Sequence, residues 1–299
     1  MTKKLLLLFF GLAFWGCTEN NINNEKEWDK KGDVENEDAI NINHNGIVRE
    51  YLIHVPEIYS DSTPVPLLLN FHGGGGTATG QMYLADMRPI ADTANFILVY
   101  PQGLQLEDGG YTHWNSMLIS DSNKSSVDDF GFIDMLIDDL LLTYNIDSTK
   151  IYATGFSNGA DISFTLGCYL QNKIAAIASV SGLMLHNPSS NCTFSGPTGA
   201  MIIHGTSDNS RPIEGIEGYY ASINETIEFW GSQNGISLNP SVTEFENDGF
   251  AIELYSYANQ ENIVTIEYYK IINGGHIWHD FQKEEARTNQ LIWNFLSQF

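Results

Sequence analysis

The stretch Ile151-Tyr152-Ala153-Thr154-Gly155-Phe156-Ser157-Asn158-Gly159 constrains this chain more than any other. A short, β-prone apolar run ends on Gly-x-Ser-x-Gly, and residues Gly159 to Gln171 read as a helix. The pattern predicts a strand over Lys150–Thr154, a tight turn, then a helix. A turn that sharp forces Ser157 into a strained backbone conformation, and the flanking glycines leave room for the close approach. The hydroxyl then stands clear of the strand, near the positive end of the following helix. An ordinary glycine-rich turn is the alternative, but the strand before and the helix after favour a nucleophile.

The remaining elements alternate in the same way. Val65–Phe71 is a continuous apolar run before glycines, which suits a strand buried on both faces. Phe96–Tyr100 is another, stopped by Pro101 and Gly103. Ala175–Val180 and Ala200–His204 read as short buried strands, Ile263–Ile271 as β-rich, and Ile47–Val55 as a half-exposed edge strand. Helical spacing marks Phe132–Tyr144, Thr226–Asn234 and Glu284–Phe299. Such alternation predicts an α/β fold: a mostly parallel sheet with helices on both faces. With 299 residues, 42% of them hydrophobic, the chain can bury one substantial core. No repeat or composition shift divides residues 46–299, so a single domain is expected there.

The N-terminus reads as an address. Lys3-Lys4 precede an apolar run from Leu5 to Trp15, which ends at Gly16-Cys17. The run is too short to span a bilayer as a helix and has the flanks of an export signal. Cys17 after a small residue resembles the lipobox of bacterial lipoproteins, although Phe14 and Trp15 depart from the usual preceding residues. Residues 1–17 are therefore expected to be a lipoprotein signal peptide ending at an acylated Cys17, with a plain secretory signal as the alternative. Residues 18–45 are polar and lack apolar periodicity, so they are expected to form a flexible tether to the membrane. In an exported protein the two other cysteines, Cys168 and Cys192, are expected to form a disulfide, with two buried free thiols as the alternative. No Cys-x-x-Cys or His-rich spacing suggests a metal. Lys and Arg number 14 against 37 Asp and Glu, and the resulting charge of −23 repels phosphate backbones, which argues against nucleic acid. No obligate protein partner is evident.

A serine that attacks an acyl group needs backbone N–H donors for the developing oxyanion. Asn158, directly after the nucleophile, is expected to give one. The loop Phe71-His72-Gly73-Gly74-Gly75-Gly76 is expected to give the other through Gly74, with Gly73 or Gly75 able to take its place. No Gly-Lys-Ser/Thr follows, so a phosphate cradle is disfavoured. His72 reads as a buried prop for this loop and not as a base. Of the eight histidines, His276 in Asn273-Gly274-Gly275-His276 follows the last β-rich segment and is the candidate base, with His279 as competitor. The candidate acid is Asp208, which closes Ile202-Ile203-His204-Gly205-Thr206-Ser207-Asp208 after a buried strand. Asp248 and Asp280 are the alternatives, and neither follows such a strand.

These residues bring a family into view. Leu67-Leu68-Leu69-Asn70-Phe71-His72-Gly73-Gly74, Val99-Tyr100-Pro101-Gln102-Gly103, Trp114-Asn115, Val127-Asp128-Asp129-Phe130-Gly131-Phe132, the Ser157 turn, His204-Gly205-Thr206-Ser207-Asp208 and Gly274-Gly275-His276-Ile277-Trp278 occur in that order. Together they resemble the polyhydroxybutyrate depolymerase and feruloyl esterase group, carbohydrate esterase family 1-like members of the α/β-hydrolase superfamily. The match covers most of residues 47–299. It implies an α/β-hydrolase without a cofactor, with Ser157, Asp208 and His276 as its triad. The implied activity is hydrolysis of carboxylic esters through an acyl-enzyme. The implied substrates are feruloyl or acetyl esters of plant polysaccharide, or short hydroxyalkanoate oligoesters. The resemblance also places one Cys in the helix after the nucleophile and another before the Asp strand, in favour of a Cys168–Cys192 bridge. Gly275-His276-Ile277-Trp278-His279-Asp280 departs from the Gly-His-Thr-Trp-Pro-Gly of many relatives. Trp114 and Trp278 are expected to line the acyl or sugar side of the cleft, with core packing as the plainer alternative. A serine peptidase of the same fold and a non-catalytic, glycan-binding surface lipoprotein are the competing readings.

Overall fold

The central strands are apolar on both faces because helices cover the sheet on both sides. The computed structural model describes residues 39–107, 109–116, 125–186, 192, 196–261 and 263–299. The signal peptide, Cys17 and residues 18–38 of the expected tether lie outside the described residues. In chain order the first strands are β1 (Ile40–His44), β2 (Ile47–His54), β3 (Val65–Phe71), β4 (Ile97–Pro101), β5 (Leu104–Gln105), β6 (Thr112–His113) and β7 (Ile146–Phe156). They are followed by β8 (Ile174–Val180), β9 (Gly199–Gly205), β10 (Ser241–Asn247), β11 (Phe250–Ala258), β12 (Val264–Ile271), β13 (Gln282–Lys283) and β14 (Ala286–Arg287). The helices are α1 (Ala78–Leu84), α2 (Arg88–Ala94), α3 (Asp129–Thr143), α4 (Asn158–Tyr169), α5 (Ile223–Gln233) and α6 (Thr288–Leu296).

Ten strands make one sheet in the order β1-β2-β4-β3-β7-β8-β9-β12-β11-β10. The run from β4 to β12 is parallel throughout, and an antiparallel hairpin closes each side. Period-2 alternation divides β3 between two cores. Leu67, Leu69 and Phe71 pack with Phe132, Ile133 and Leu136 of α3, Ile162 of α4, and Ile227 and Trp230 of α5. Leu68 points the other way, into a cluster with Ala78 of α1, Ala91 of α2, and Ile292 and Phe295 of α6. From β3 the chain first moves outward to β4, then returns to β7 on the other side of β3. The order reverses between β3 and β7, and open α/β sheets bind ligands in the crevice at the carboxyl ends of such neighbours.

The observed architecture is the expected α/β single domain, with four local differences. The tether was expected to reach Asn45, but strand begins at Ile40 and pairs with β2 from Ile40↔Tyr51 to His44↔Ile47. That pairing also moves β2 off the edge position expected of Ile47–Val55. The C-terminal helix starts at Thr288 rather than Glu284, because β13 and β14 pair around Glu284, whose φ is 55°. The hairpin β10–β11 was not foreseen: β10 is almost wholly exposed, so it lacks the apolar signal of a half-buried strand. Its Asn247-Asp248-Gly249-Phe250 turn has positive φ at Asp248 and Gly249, the geometry that Asp-Gly favours in two-residue hairpins. Cys168, near the end of α4, is disulfide-bonded to Cys192.

Candidate active site

Ser157 ends the β7-to-α4 turn with φ 53° and ψ −119°, and is a non-glycine residue held in a sparsely populated region. Such a conformation costs of order 1–3 kcal/mol and persists only where surrounding contacts dictate it. Here its N–H donates to Val180 C=O at 3.0 Å. Gly155 and Gly159 are required because a Cβ on Gly155 would meet Gly159 C=O, and one on Gly159 would meet Phe71 C=O. The turn is thus wedged between β3 and α4.

Two further loops meet this turn. The Ser157 Oγ lies 2.8 Å from His276 Nε2, and His276 Nδ1 lies 2.8 Å from Asp208 Oδ2. With the imidazole proton on Nδ1 donated to Asp208, Nε2 is left to accept from the serine. The structure therefore brings together the three residues that sequence reasoning had selected. Asp280 is instead paired on the surface with Arg287 at 2.7 Å, and Asp248 sits in the β10–β11 turn. The Asp208 side chain is fully buried. Burial pushes its carboxyl up, but the hydrogen bonds from His276 and Arg211 N–H and the nearby histidines outweigh this, leaving it below the usual carboxylate range. Its Oδ1 accepts from Ser210 N–H at 2.9 Å and Arg211 N–H at 2.7 Å.

The acid and base loops are laced together. Ser207 N–H donates to Gly274 C=O at 2.8 Å, and Asn273 N–H to Thr206 Oγ1 at 2.8 Å. Ser181, at the end of β8, donates through Oγ to Ile277 C=O at 2.8 Å. His279, the competitor base, is buried and donates through Nε2 to Gly275 C=O at 3.0 Å. Burial holds it down to about 4 despite that bond, so near neutrality it is an uncharged brace for the loop.

The glycine loop lies on the other side of Ser157. Cβ positions built on Gly73 and Gly74 fall 3.4 Å from Ser157 Cβ and 3.8 Å from Asn158 Cβ respectively. Gly75 N–H is committed to Thr112 C=O at 2.7 Å, which removes it as an oxyanion donor. The N–H groups of Gly74 and Asn158 make no hydrogen bond to the described residues. His72 props the loop as expected: it is buried, Nδ1 donates to Gly73 C=O at 2.7 Å, and Nε2 accepts from Gly103 N–H at 2.9 Å. Burial holds this imidazole down to about 4 as well, so it stays neutral.

The two tryptophans do not occupy the positions expected of them. Trp114 is 0% exposed, packs edge-on against Phe71, and donates its indole N–H to His72 C=O at 2.9 Å. Its backbone is gripped by the Asn158 side chain, through Trp114 N–H to Oδ1 at 2.6 Å and Nδ2 to Trp114 C=O at 3.0 Å. Trp278 is 8% exposed and belongs to the core cluster against α6. Neither indole offers a face to a ligand; core packing has won. The Asn115 N–H donates to Asp129 Oδ2 at 2.7 Å, and Asp129 Oδ1 is 2.6 Å from Arg49 Nη2, so these motif residues brace the segment from behind. Sequence reasoning missed Tyr111. It is 55% exposed, and its ring carbon lies 3.6 Å from a Cβ position on Gly74, at the mouth of the site. Its only sequence signal was its place just before the Trp114-Asn115 motif.

This sheet order, nucleophile turn and loop arrangement define an α/β-hydrolase fold. A family model for phospholipases and carboxylesterases matches residues 55–230, and the chain belongs to that family. It is 26% identical over 254 residues to a bifunctional acetylxylan esterase/xylanase of Neocallimastix patriciarum, covering 85% of this chain and 34% of that protein. It is 27% identical over 187 residues to feruloyl esterase D of Neurospora crassa, covering 58% of each. The chain thus spans about a third and somewhat over half of these curated relatives. Among solved structures, an acetyl xylan esterase from Aspergillus awamori superposes with a TM-score of 0.56 at 15% identity, over 77% of this chain and 89% of that one. That likeness concerns the fold.

Proposed function

We propose that this chain is a serine-dependent carboxylic ester hydrolase that works through an acyl-enzyme on acetyl or feruloyl esters of plant polysaccharide. The observation that supports the chemistry is the hydrogen-bonded row from Ser157 Oγ through His276 to Asp208, at 2.8 Å for each step. Ser157 Oγ attacks the ester carbonyl carbon as its proton passes to His276 Nε2, and Asp208 stays ionised to support the imidazolium. The carbonyl oxygen, now negative, is received by the N–H groups of Asn158 and Gly74. Collapse expels the alcohol, which takes the proton from His276. Water, deprotonated by His276, then releases the carboxylic acid and restores Ser157.

The substrate class rests on the relatives named acetylxylan esterase and feruloyl esterase. The same proposal keeps export through residues 1–17 and lipidation at Cys17, on the strength of the charged start, apolar run and Gly-Cys pair. The test compares parent and Ser157→Ala on acetylated xylan, methyl ferulate, hydroxybutyrate oligomers and p-nitrophenyl acetate. Turnover of acetylated xylan or methyl ferulate, lost by about 10⁴-fold or more in the variant, is the expected result. Preference for hydroxybutyrate oligomers overturns the substrate class, and inertness towards every ester and fluorophosphonate probe overturns the chemistry.

A further inference from the structure

The loop that carries Asp208 leaves β9 and must hold a carboxylate in line with a histidine from another loop. Its near end is tied to the β12 side by Thr206 N–H to Ile271 C=O and Ser207 N–H to Gly274 C=O. Its far end turns at Ser210–Arg211, where Arg211 contributes at three points. The Arg211 N–H donates to Asp208 Oδ1 at 2.7 Å, and its C=O accepts from His204 Nε2 at 2.7 Å. The guanidinium then leaves the loop: Nη2 and Nε lie 2.8 Å and 3.2 Å from Asp161 Oδ2.

Asp161 is wholly buried in the first turn of α4, the helix that Ser157 caps. It also accepts Leu183 N–H at 2.9 Å and Tyr220 O–H at 3.0 Å, and Arg211 lies over the Tyr220 ring at 4.9 Å. A buried carboxylate with this set of donors is a rigid anchor, and the planar guanidinium fork transmits direction as well as distance.

We propose that Arg211 is a positioning residue for the reaction: through Asp161 it fixes the acid loop to the nucleophile's own helix, and so sets Asp208 against His276 and Ser157. Asp208 and Ser157 lie on different loops; the β7–β8–β9 pairing and the β9–β12 lacing hold the near end of the acid loop, and this tie holds its far end to the nucleophile's helix. The inference rests on the proposed triad. It concerns alignment, so its loss is felt in the chemical step and hardly in substrate capture, because Arg211 is placed against the protein and not against the ester.

The test uses Arg211→Met, Arg211→Lys, Asp161→Asn and the Arg211→Met/Asp161→Asn pair, with p-nitrophenyl acetate as substrate. Each rate is divided by the sites titrated after exhaustive fluorophosphonate labelling, read by intact mass. A merely structural residue changes the titratable fraction and the melting temperature but leaves turnover per titrated site intact. A misalignment on the ångström scale is expected to cost about 10²-fold in kcat per site for Arg211→Met, with KM changed by no more than about threefold. Arg211→Lys keeps the charge and recovers part of the loss, and the double variant falls no further than the worse single one. Unchanged kcat per titrated site in Arg211→Lys and in any folded Arg211→Met overturns the proposal, as do losses that simply add. Asp208→Ala is run beside them. If it too leaves kcat intact the triad reading has failed, whereas a loss there with none at Arg211 sinks this inference alone.

Discussion

Replacing Asp208 by Asn changes one atom and sets two demands against each other. Oδ1 takes two backbone N–H groups, from Ser210 and Arg211, while Oδ2 takes His276 Nδ1. In the variant the amide oxygen can serve one side only. Keeping it on the backbone donors preserves two hydrogen bonds and turns the NH₂ toward His276; flipping it keeps one bond and sets the NH₂ against two part-buried backbone donors. A hydrogen bond lost at such a part-buried site costs about 1 kcal/mol net, so the first arrangement, which keeps one bond more, wins by roughly that much. His276 Nδ1 must then accept, Nε2 carries the proton, and the imidazole cannot take the proton of Ser157. The expected loss in kcat is about 10⁴-fold, or roughly 5 kcal/mol of barrier, with KM little changed. Stopped-flow or steady-state turnover of p-nitrophenyl acetate, per folded protein judged by melting temperature, measures it. A folded Asp208→Asn enzyme within about tenfold of the parent would refute the tautomer argument and with it the role given to Asp208.

Tyr111→Ala is expected to raise KM for methyl ferulate about three- to tenfold by removing an aromatic face worth roughly 1 kcal/mol, and an unchanged KM would place this ring outside the substrate path. Trp114→Phe removes the bond to His72 C=O and is expected to lower stability by about 1 kcal/mol in denaturant titrations; equal midpoints would contradict its role as a brace. His72 and His279 sit at about 4 in the folded chain against 6.5 when unfolded. Their folded values are depressed, so the unfolded state takes up protons first as pH falls below 6.5, and each site loses up to on the order of 3 kcal/mol of stability by pH 4. His279→Gln is therefore expected to flatten the fall of melting temperature over that window, and an unaltered slope would count against it. Reducing the Cys168–Cys192 bridge, which spans a sequence separation of 24, is expected to cost about 3 kcal/mol, and an unfolding midpoint indifferent to reductant would refute this.

What the sequence made legible follows from how local each constraint is. Gly155, Ser157 and Gly159 mark a tight backbone geometry within five consecutive residues, between a strand and a helix that can themselves be read, so the nucleophile turn was legible even though β3 and β8 help to hold it. The strand of residues 65–71 was legible for a related reason, since a strand covered on both faces has no polar face to confuse the pattern. His276 and Asp208 required only that each follow a strand and that the chain order be Ser, Asp, His. Trp114 and Trp278 could not be placed this way. Whether an indole faces a cleft or a core depends on what packs against it, and the partners of Trp114 lie 42 and 44 positions away, at His72 and Asn158. Arg211 was illegible for the same reason: its partner Asp161 is 50 positions distant, and a lone Arg in a polar loop carries no mark of it.

These two kinds of information divide the molecule. The groups assigned to chemistry lie at the carboxyl ends of β3, β7, β9 and β12, within one parallel run of the sheet. They are laced to one another through Ser181, Thr206, Ser207, Asn158 and Arg211. A site so constrained has little freedom to adapt to different acyl groups or alcohols by shifting its reacting atoms. Selectivity must therefore come from what stands around that row and is not tied into it. Among the described residues the half-exposed side chains of Tyr111 and Ile277 meet that condition: Tyr111 lies over the glycine loop, and Ile277, which joins the lacing through its backbone C=O, directly follows the proposed base. On this reasoning, exchanging these two side chains should change which ester is preferred while the bell of bond-making groups beneath them stays intact, whereas any change within the lacing should slow all esters together.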